Sequence, residues 1–123
     1  GDERRMIDQT MTRLRSLVER TGITLFLVSH LKRNNGDKNH EEGARVTLGQ
    51  LRGSASIAQL SDCCIALERD QQSDDQAGGT TVRVLKNRFS GETGVACHLK
   101  YDLNTCKFDE TEPDESFNPT TDF

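Results

Sequence analysis

A nearly unbroken apolar run, ITLFLV at residues 23–28, constrains the possible fold of this chain more than any other feature. Such runs are typical of strands that are buried on both faces, as in a parallel sheet covered by helices. The preceding residues 2–20 carry one apolar stripe at three- and four-residue spacings, formed by Met6, Ile7, Met11, Leu14, Leu17 and Val18. This spacing predicts an amphipathic helix, which Gly22 would end. Helix, tight turn and buried strand together predict an α/β fold.

The remaining patterns predict further strands joined by polar loops. Residues 62–68 (DCCIALE) are expected to form a strand with Ile65 and Leu67 in the core. Residues 81–86 and 95–101 are expected to form an antiparallel hairpin around the sequence FSGETG. A turn at 102–105 and a short strand at 106–108 follow, and loops are predicted at 31–47 and 70–81. Ser54 is a candidate cap for a short helix that holds Ile57, Ala58 and Leu60.

Charge divides the 123 residues into a body, 1–108, and an acidic tail, 109–123. The tail holds six acidic residues and no Lys or Arg, so the formal net charge of −4 becomes +2 for the body alone. A mildly basic body with an acidic end suits nucleic-acid binding combined with partner recruitment. The tail also holds both prolines and lacks periodicity, which predicts disorder.

The composition favours a soluble, intracellular protein of at most one domain, cut from a longer chain. The first residue is Gly and a helix begins almost at once. No apolar stretch is long enough to cross a bilayer, and no signal peptide opens the sequence. The four cysteines include no C-x-x-C pair, which disfavours zinc. Cys63 and Cys64 are expected to be reduced, buried residues on opposite faces of a strand, and a Cys97–Cys106 disulfide is the less favoured alternative.

Two cations, Lys86 and Arg88, stand at the end of the predicted strand 81–86, directly before a turn that contains Gly91 and Gly94. Cations fixed at the end of a strand can stabilise the charge of a phosphoryl group during transfer. Lysine supplies a point charge, and arginine supplies a planar fork of donors. The alternative is an ordinary solvated strand edge.

Three motifs occur in a fixed order. They are the apolar run followed by Ser29-His30, the segment LRGS…QLSD…ALER at 51–69, and K-x-R-F-x-G-x-T-G at 86–94. This constellation resembles the C-terminal half of the RecA-type motor of hexameric replicative DNA helicases, above all the primase–helicases of short-tailed phages, with DnaB and Twinkle more distant. The resemblance extends over residues 2–108. It implies a partial RecA-like core with central parallel strands, flanking helices and a C-terminal antiparallel hairpin.

The resemblance also implies roles for residues near a nucleotide. Arg88 would be an arginine finger that reaches the nucleotide of a neighbouring subunit, assisted by Lys86. His30 would contact the γ-phosphate and couple nucleotide state to the loop that follows. Arg69 and Tyr101 would pack near the base, although an ordinary surface arginine and a core or surface tyrosine remain equal alternatives.

Single-stranded DNA and a polymerase are the partners that the resemblance implies. Contacts with DNA phosphates are expected from the loop 31–47 and the segment after it, at Lys32, Arg33, Lys38, Arg52 and Gln59. The loop holds no aromatic residue, so these contacts would be independent of sequence. Some relatives carry a basic residue where Ala58 stands, and its absence here puts that DNA contact in doubt. The tail, ending in Phe123, would dock on the replicative polymerase; a merely solubilising tail is the alternative.

The sequence contains no G-x-x-x-x-G-K-[ST] phosphate loop and no clear strand ending in a magnesium-binding Asp. We therefore expect ATP or dTTP with Mg²⁺ to be bound mostly by residues outside this chain, and the isolated chain to be inactive. The alternative function is a non-catalytic module that binds single-stranded nucleic acid and recruits a protein through its tail.

Overall fold

The computed structural model describes residues 2–31, 45–51, 55–69 and 79–112. They form helices α1 (Asp2–Thr21) and α2 (Ser56–Leu60), a 3-10 turn (Leu48–Gln50), and strands β1 (Cys63–Glu68), β2 (Thr80–Asn87), β3 (Gly94–Asp102) and β4 (Lys107–Thr111). No helix in this described part has both the length and the apolar character needed to span a bilayer. The predicted cap Ser54, most of both predicted loops and residues 113–123 of the tail lie outside it.

Helix α1 confirms the helix predicted from the apolar stripe. Asp2 and Glu3 lie in its first turn, where negative charge complements the helix dipole, and Arg20 lies in its last turn. Gly22 ends the helix with a φ of +73°, and its N–H donates to the carbonyl of Val18 over 2.8 Å. The helix buries Met11 and packs against α2.

The four strands form one antiparallel sheet in the order β1-β2-β3-β4. The hairpin β2–β3 and the turn into β4 confirm the predicted C-terminal hairpin and the turn after it, with Val82 opposite Cys97 and Tyr101 opposite Phe108. The last strand extends further than predicted, because residues 109–111, assigned to the disordered tail, pair with β3 as part of β4. Helices and a sheet together agree with the predicted α/β class. The predicted central parallel strands are not among the described elements, since every strand pair there is antiparallel.

The apolar run at 23–28 is not a strand, which corrects the prediction made from its composition. A strand requires backbone partners, and in the described residues this stretch has none; only Leu31, beyond its end, forms an isolated bridge with Leu51. Its side chains face solvent, with Phe26 exposed to 87% and Val28 to 93%. His30 therefore does not stand at the end of a buried strand.

The two faces of β1 are the reverse of those predicted. Ile65 and Leu67 are exposed, to 61% and 67%, whereas Ala66 and Glu68 are buried. The reason lies on β2, where the buried Arg83 stands opposite Ala66 and binds Glu68 in a bidentate ion pair. Because side chains alternate along a strand, burying this pair directs Ile65 and Leu67 outward.

The cysteines are free throughout, and their burial differs from the prediction. Cys63 is exposed, and Cys64, on the opposite face, is only partly buried. Burial raises the pKa of the Cys64 thiol. Cys97 stands opposite Val82 while Cys106 lies in the turn before β4, so the two do not face each other across a hairpin.

Candidate functional site

A β-bulge directs Lys86 toward the helical side of the sheet. Ile65 pairs with Val84, but its neighbour Cys64 pairs with Lys86, so one extra residue, Leu85, lies in β2 at this point. Without the bulge, strict alternation would put Lys86 on the same face as Val84. With it, the ammonium group reaches the end of α2. The sequence predicted the strand end but gave no sign of the bulge.

Lys86 and Arg88 both bind the carbonyl groups that end α2. Lys86 Nζ donates to the carbonyl oxygens of Ala58 over 2.7 Å and Gln59 over 3.1 Å. Arg88 Nη2 donates to the same Gln59 oxygen over 3.3 Å. The last carbonyls of a helix lack intrahelical partners, so cations bind there favourably. This contact joins the two cations to the short helix that bears Gln59.

Asp62 is the second anchor of Arg88. Its carbonyl accepts the Arg88 backbone N–H over 2.9 Å, and its Oδ1 accepts from Arg88 Nη1 over 2.8 Å. Its Oδ2 is paired with Arg15 Nη1 of α1 at 2.9 Å. The hydrogen bond from Arg15 is the main cause that holds the pKa of Asp62 below its ordinary value, and the same bond raises the pKa of Arg15.

The Arg88 side chain stays 42% exposed despite these bonds, so it lies at the rim of the fold rather than within it. The turn that follows is held by Asn87, whose Oδ1 accepts the backbone N–H groups of Phe89 and Ser90 over 3.1 and 3.4 Å. Gly91 donates to the Asn87 carbonyl over 2.8 Å at a φ of +78°. Arg88 is thus an accessible cation on a turn with a defined backbone.

His30 lies elsewhere, beside the first half of α1. It is exposed, and with Leu27, Val28 and Ser29 it lines a largely apolar groove of about 510 Å³. The other wall comes from α1 and α2, through Glu3, Met6, Ile7, Thr10, Met11, Leu14 and Ile57. No contact found in the described part of the chain joins His30 to Lys86 or Arg88.

The two residues predicted near a nucleotide base also lie apart from Arg88. Arg69 is exposed just after β1, at the end of the sheet where Glu68 pairs with Thr81. Arg88 lies at the opposite end, where Cys63 pairs with Asn87. Tyr101 lies near the far end of β3, and its ring packs in a tilted arrangement against Phe108, with the ring centroids 5.0 Å apart and the ring planes at 58°. A hydrogen bond with Cys106 is the main cause that raises the pKa of Tyr101.

Of the predicted DNA-contacting residues, only Gln59 falls in the described part, where it is exposed on α2. Lys32, Arg33, Lys38 and Arg52 lie outside it, as does Phe123 of the tail. Sequence reasoning missed Asp62 and Arg15. The position of Asp62, between a short helix and a strand, was the one available signal, but its partners come from α1 and from the turn after β2 and could not be found by spacing.

Comparison with known proteins relates the chain to one protein family and to a phage protein. The family described as the DnaB-like helicase C terminal domain matches residues 2–110. The chain is also 47% identical over 105 residues to a protein of Enterobacteria phage T3 named DNA helicase/primase. That alignment covers 85% of this chain and 18% of the phage protein, so the chain spans less than a fifth of this relative's length.

Proposed function

The chain belongs to the DnaB-like helicase C-terminal domain family, and on this basis we propose that it is the C-terminal part of an NTP-dependent, hexameric replicative DNA helicase. The intact enzyme would translocate on single-stranded DNA and unwind duplex DNA, in the cytoplasm of a phage-infected bacterium. Its NTP, ATP or dTTP, would be bound with Mg²⁺ mostly by residues outside this chain, since the sequence lacks a phosphate loop.

The intact protein would contain a RecA-like core in which residues 23–28 form a central parallel strand. Two properties of residues 23–28 support this placement: they are almost all apolar, and they are exposed. Five of the six, including Phe26 and Val28, are large apolar residues that face solvent in the described chain. Strands from elsewhere in the protein would supply the missing backbone hydrogen bonds and cover these side chains. His30 would then lie at the carboxyl end of a strand, where ligands of such sheets bind, as the γ-phosphate sensor.

Arg88 would act in trans on a nucleotide held by the neighbouring subunit, with Lys86 assisting. The observation that carries this proposal is the combination of fixed position and exposure at Arg88. The residue is bound to Asp62 through both backbone and side chain, yet its guanidinium stays at the surface. A guanidinium fixed before the reaction stabilises charge that develops on the transferring phosphoryl group without further reorganisation.

Single-stranded DNA would be bound by Lys32, Arg33, Lys38, Arg52 and Gln59. Gln59 supports a link between the two activities, because its side chain is exposed while its carbonyl oxygen binds both Lys86 and Arg88. A shift of α2 on DNA binding would therefore move the carbonyl oxygen that both cations bind. Arg69 and Tyr101 would pack near the base, and the acidic tail with Phe123 would recruit the replicative DNA polymerase.

A second candidate is a non-catalytic module that binds single-stranded nucleic acid and a protein partner. The missing phosphate loop favours this behaviour for the chain on its own. Incubation of the purified chain and of the full-length protein with NTP and Mg²⁺ distinguishes the two candidate functions. For a helicase part, we expect no turnover from the chain alone and DNA-stimulated turnover from the full-length protein.

The proposed role of Arg88 is tested by Arg88→Ala in the full-length protein. We expect DNA-stimulated hydrolysis to fall by about a thousandfold or more, while nucleotide binding is retained. Arg13→Ala removes an exposed arginine of α1 and serves as the matched control, with hydrolysis unchanged. Wild-type hydrolysis by Arg88→Ala would refute the assignment.

A further inference from the structure

We propose that Asp62 is a positioning residue for Arg88, and that Arg15 fixes Asp62 from the opposite side. The inference rests on the proposed role of Arg88 and adds two residues on which the rate should depend. Neither residue belongs to the set that the sequence singled out.

The geometry makes Asp62 the centre of a row of alternating charges. Glu19 binds Arg15 Nε over 3.0 Å, Arg15 binds Asp62 Oδ2 over 2.9 Å, and Asp62 Oδ1 binds Arg88 over 2.8 Å. Each oxygen of the carboxylate thus has its own guanidinium. A carboxylate held at both oxygens keeps a single orientation, and it transmits the position of α1 to the end of β2.

The backbone contact shows why Asp62 fixes both ends of the Arg88 side chain. The Arg88 N–H donates to the Asp62 carbonyl over 2.9 Å, while the guanidinium binds the carboxylate and the Gln59 carbonyl. A long side chain on a strand end otherwise samples many rotamers, and each productive encounter with a phosphate would have to select one. Holding the guanidinium in advance removes that selection step from the reaction.

The same contacts leave the Arg88 guanidinium accessible to a phosphate. The Asp62 side chain is 34% exposed and that of Arg88 is 42% exposed, so solvent screens their attraction. Asp62 also shares its charge with Arg15. A partly exposed, shared carboxylate directs the guanidinium without burying it in an ion pair.

The test uses the full-length protein with saturating single-stranded DNA. Asp62→Asn preserves side-chain shape and the backbone contact but removes the charge. We expect kcat for NTP hydrolysis to fall by about tenfold or more, with KM unchanged, because Arg88 is misplaced rather than lost.

Two further variants and a control support this test. Arg15→Gln, which leaves Asp62 in place, should also reduce kcat, but by less. Asp62→Glu keeps the charge and should retain more activity than Asp62→Asn. Asp2→Asn, at an exposed carboxylate in the first turn of α1, is the control and should leave kcat unchanged.

A double-substitution cycle separates positioning from a general effect on folding. We expect Arg88→Lys to retain part of the activity, so that a further loss remains measurable in that background. If Asp62 acts through the guanidinium fork, Asp62→Asn should add little to Arg88→Lys. A full, additive tenfold loss would overturn the inference.

A normal kcat for both Asp62→Asn and Arg15→Gln, together with defective hydrolysis by Arg88→Ala, would also overturn the inference, but it would leave the proposed arginine finger intact. Normal hydrolysis by Arg88→Ala would instead remove the proposed function on which the inference rests. If Asp62→Asn fails to form rings, Arg15→Gln carries the same cycle.

Discussion

Arg83 and Glu68 form a bidentate ion pair on the buried face of the sheet, with Nε–Oε2 at 2.8 Å, Nη2–Oε1 at 3.0 Å and the side chains exposed to only 5% and 6%. Glu68 Oε2 also accepts the N–H of the buried Val46 over 2.6 Å. The pair therefore joins β1, β2 and the segment before the 3-10 turn.

Breaking this pair should destabilise the protein strongly. Glu68→Gln or Arg83→Leu leaves a buried charge without its counter-charge, which costs about 3–5 kcal/mol in comparable sites. The double variant Glu68→Leu/Arg83→Leu should be less destabilised than the sum of the single variants, although Val46 still loses its acceptor. Chemical denaturation measures these differences. Arg13→Leu, on the exposed face of α1, is the control, and equal losses for it and Arg83→Leu would contradict the role of the pair.

The turn after Arg88 should depend on glycine at position 91. Its φ of +78° is strained for any residue with a Cβ, so Gly91→Ala should cost about 1 kcal/mol and loosen the turn. We also expect a lower rate of NTP hydrolysis in the full-length protein, since the turn directly follows Arg88. Gly49→Ala is a matched control, because there too an added Cβ meets nothing within 4 Å, but no positive φ opposes it. Equal stability of the two variants would show that the turn tolerates a side chain.

The apolar run at 23–28 should behave differently in the isolated chain and in the intact protein. Alone, the chain should bind an apolar dye and aggregate readily, and Phe26→Asp should reduce both, since Phe26 is 87% exposed. In the full-length protein the same substitution should prevent folding, because a charge would enter a buried central strand. Phe89→Asp, at a phenylalanine 79% exposed in the turn after β2, is the control for folding yield. A full-length Phe26→Asp protein that melts at the wild-type temperature would contradict the RecA-like placement of this segment.

The charge row at Asp62 predicts a definite dependence of stability on pH. The pKa of Asp62 is lowered in the folded protein, so the contribution of its charge is fully present above the ordinary value near 3.8. It should be lost as the pH falls through the lowered pKa. The difference in melting temperature between wild type and Asp62→Asn should therefore be constant at neutral pH and shrink in strong acid. Arg15→Gln should return the Asp62 pKa, measured by NMR, toward its ordinary value. An unchanged Asp62 pKa in Arg15→Gln would show that Arg15 is not the main cause.

The sequence predicted those parts of the fold that depend on local patterns. The stripe from Met6 to Val18 specified α1, and the glycine-containing turn specified the β2–β3 hairpin, because periodicity and turn chemistry act over a few neighbouring residues. The family resemblance was confirmed by the comparisons.

The wrong predictions share one physical origin: each concerns a feature that depends on partners distant in sequence. Residues 23–28 read as a buried strand, yet burial requires neighbours that the described chain does not supply. Ile65 and Leu67 read as core, but the buried Glu68–Arg83 pair reversed the faces of β1. The bulge opposite Cys64, which brings Lys86 to α2, depends on pairing register and has no local signature.

The central claim, that Arg88 completes the nucleotide site of a neighbouring subunit, is tested most directly by mixing two inactive full-length proteins. One carries Arg88→Ala, and the other has an intact Arg88 but a disabled phosphate loop. If Arg88 acts in trans, an interface that takes its phosphate loop from the first and its arginine from the second is complete. About a quarter of the interfaces in randomly mixed rings should then hydrolyse NTP, because each interface draws on two subunits. If the mixture is no more active than either protein alone, the trans-acting role of Arg88 is contradicted.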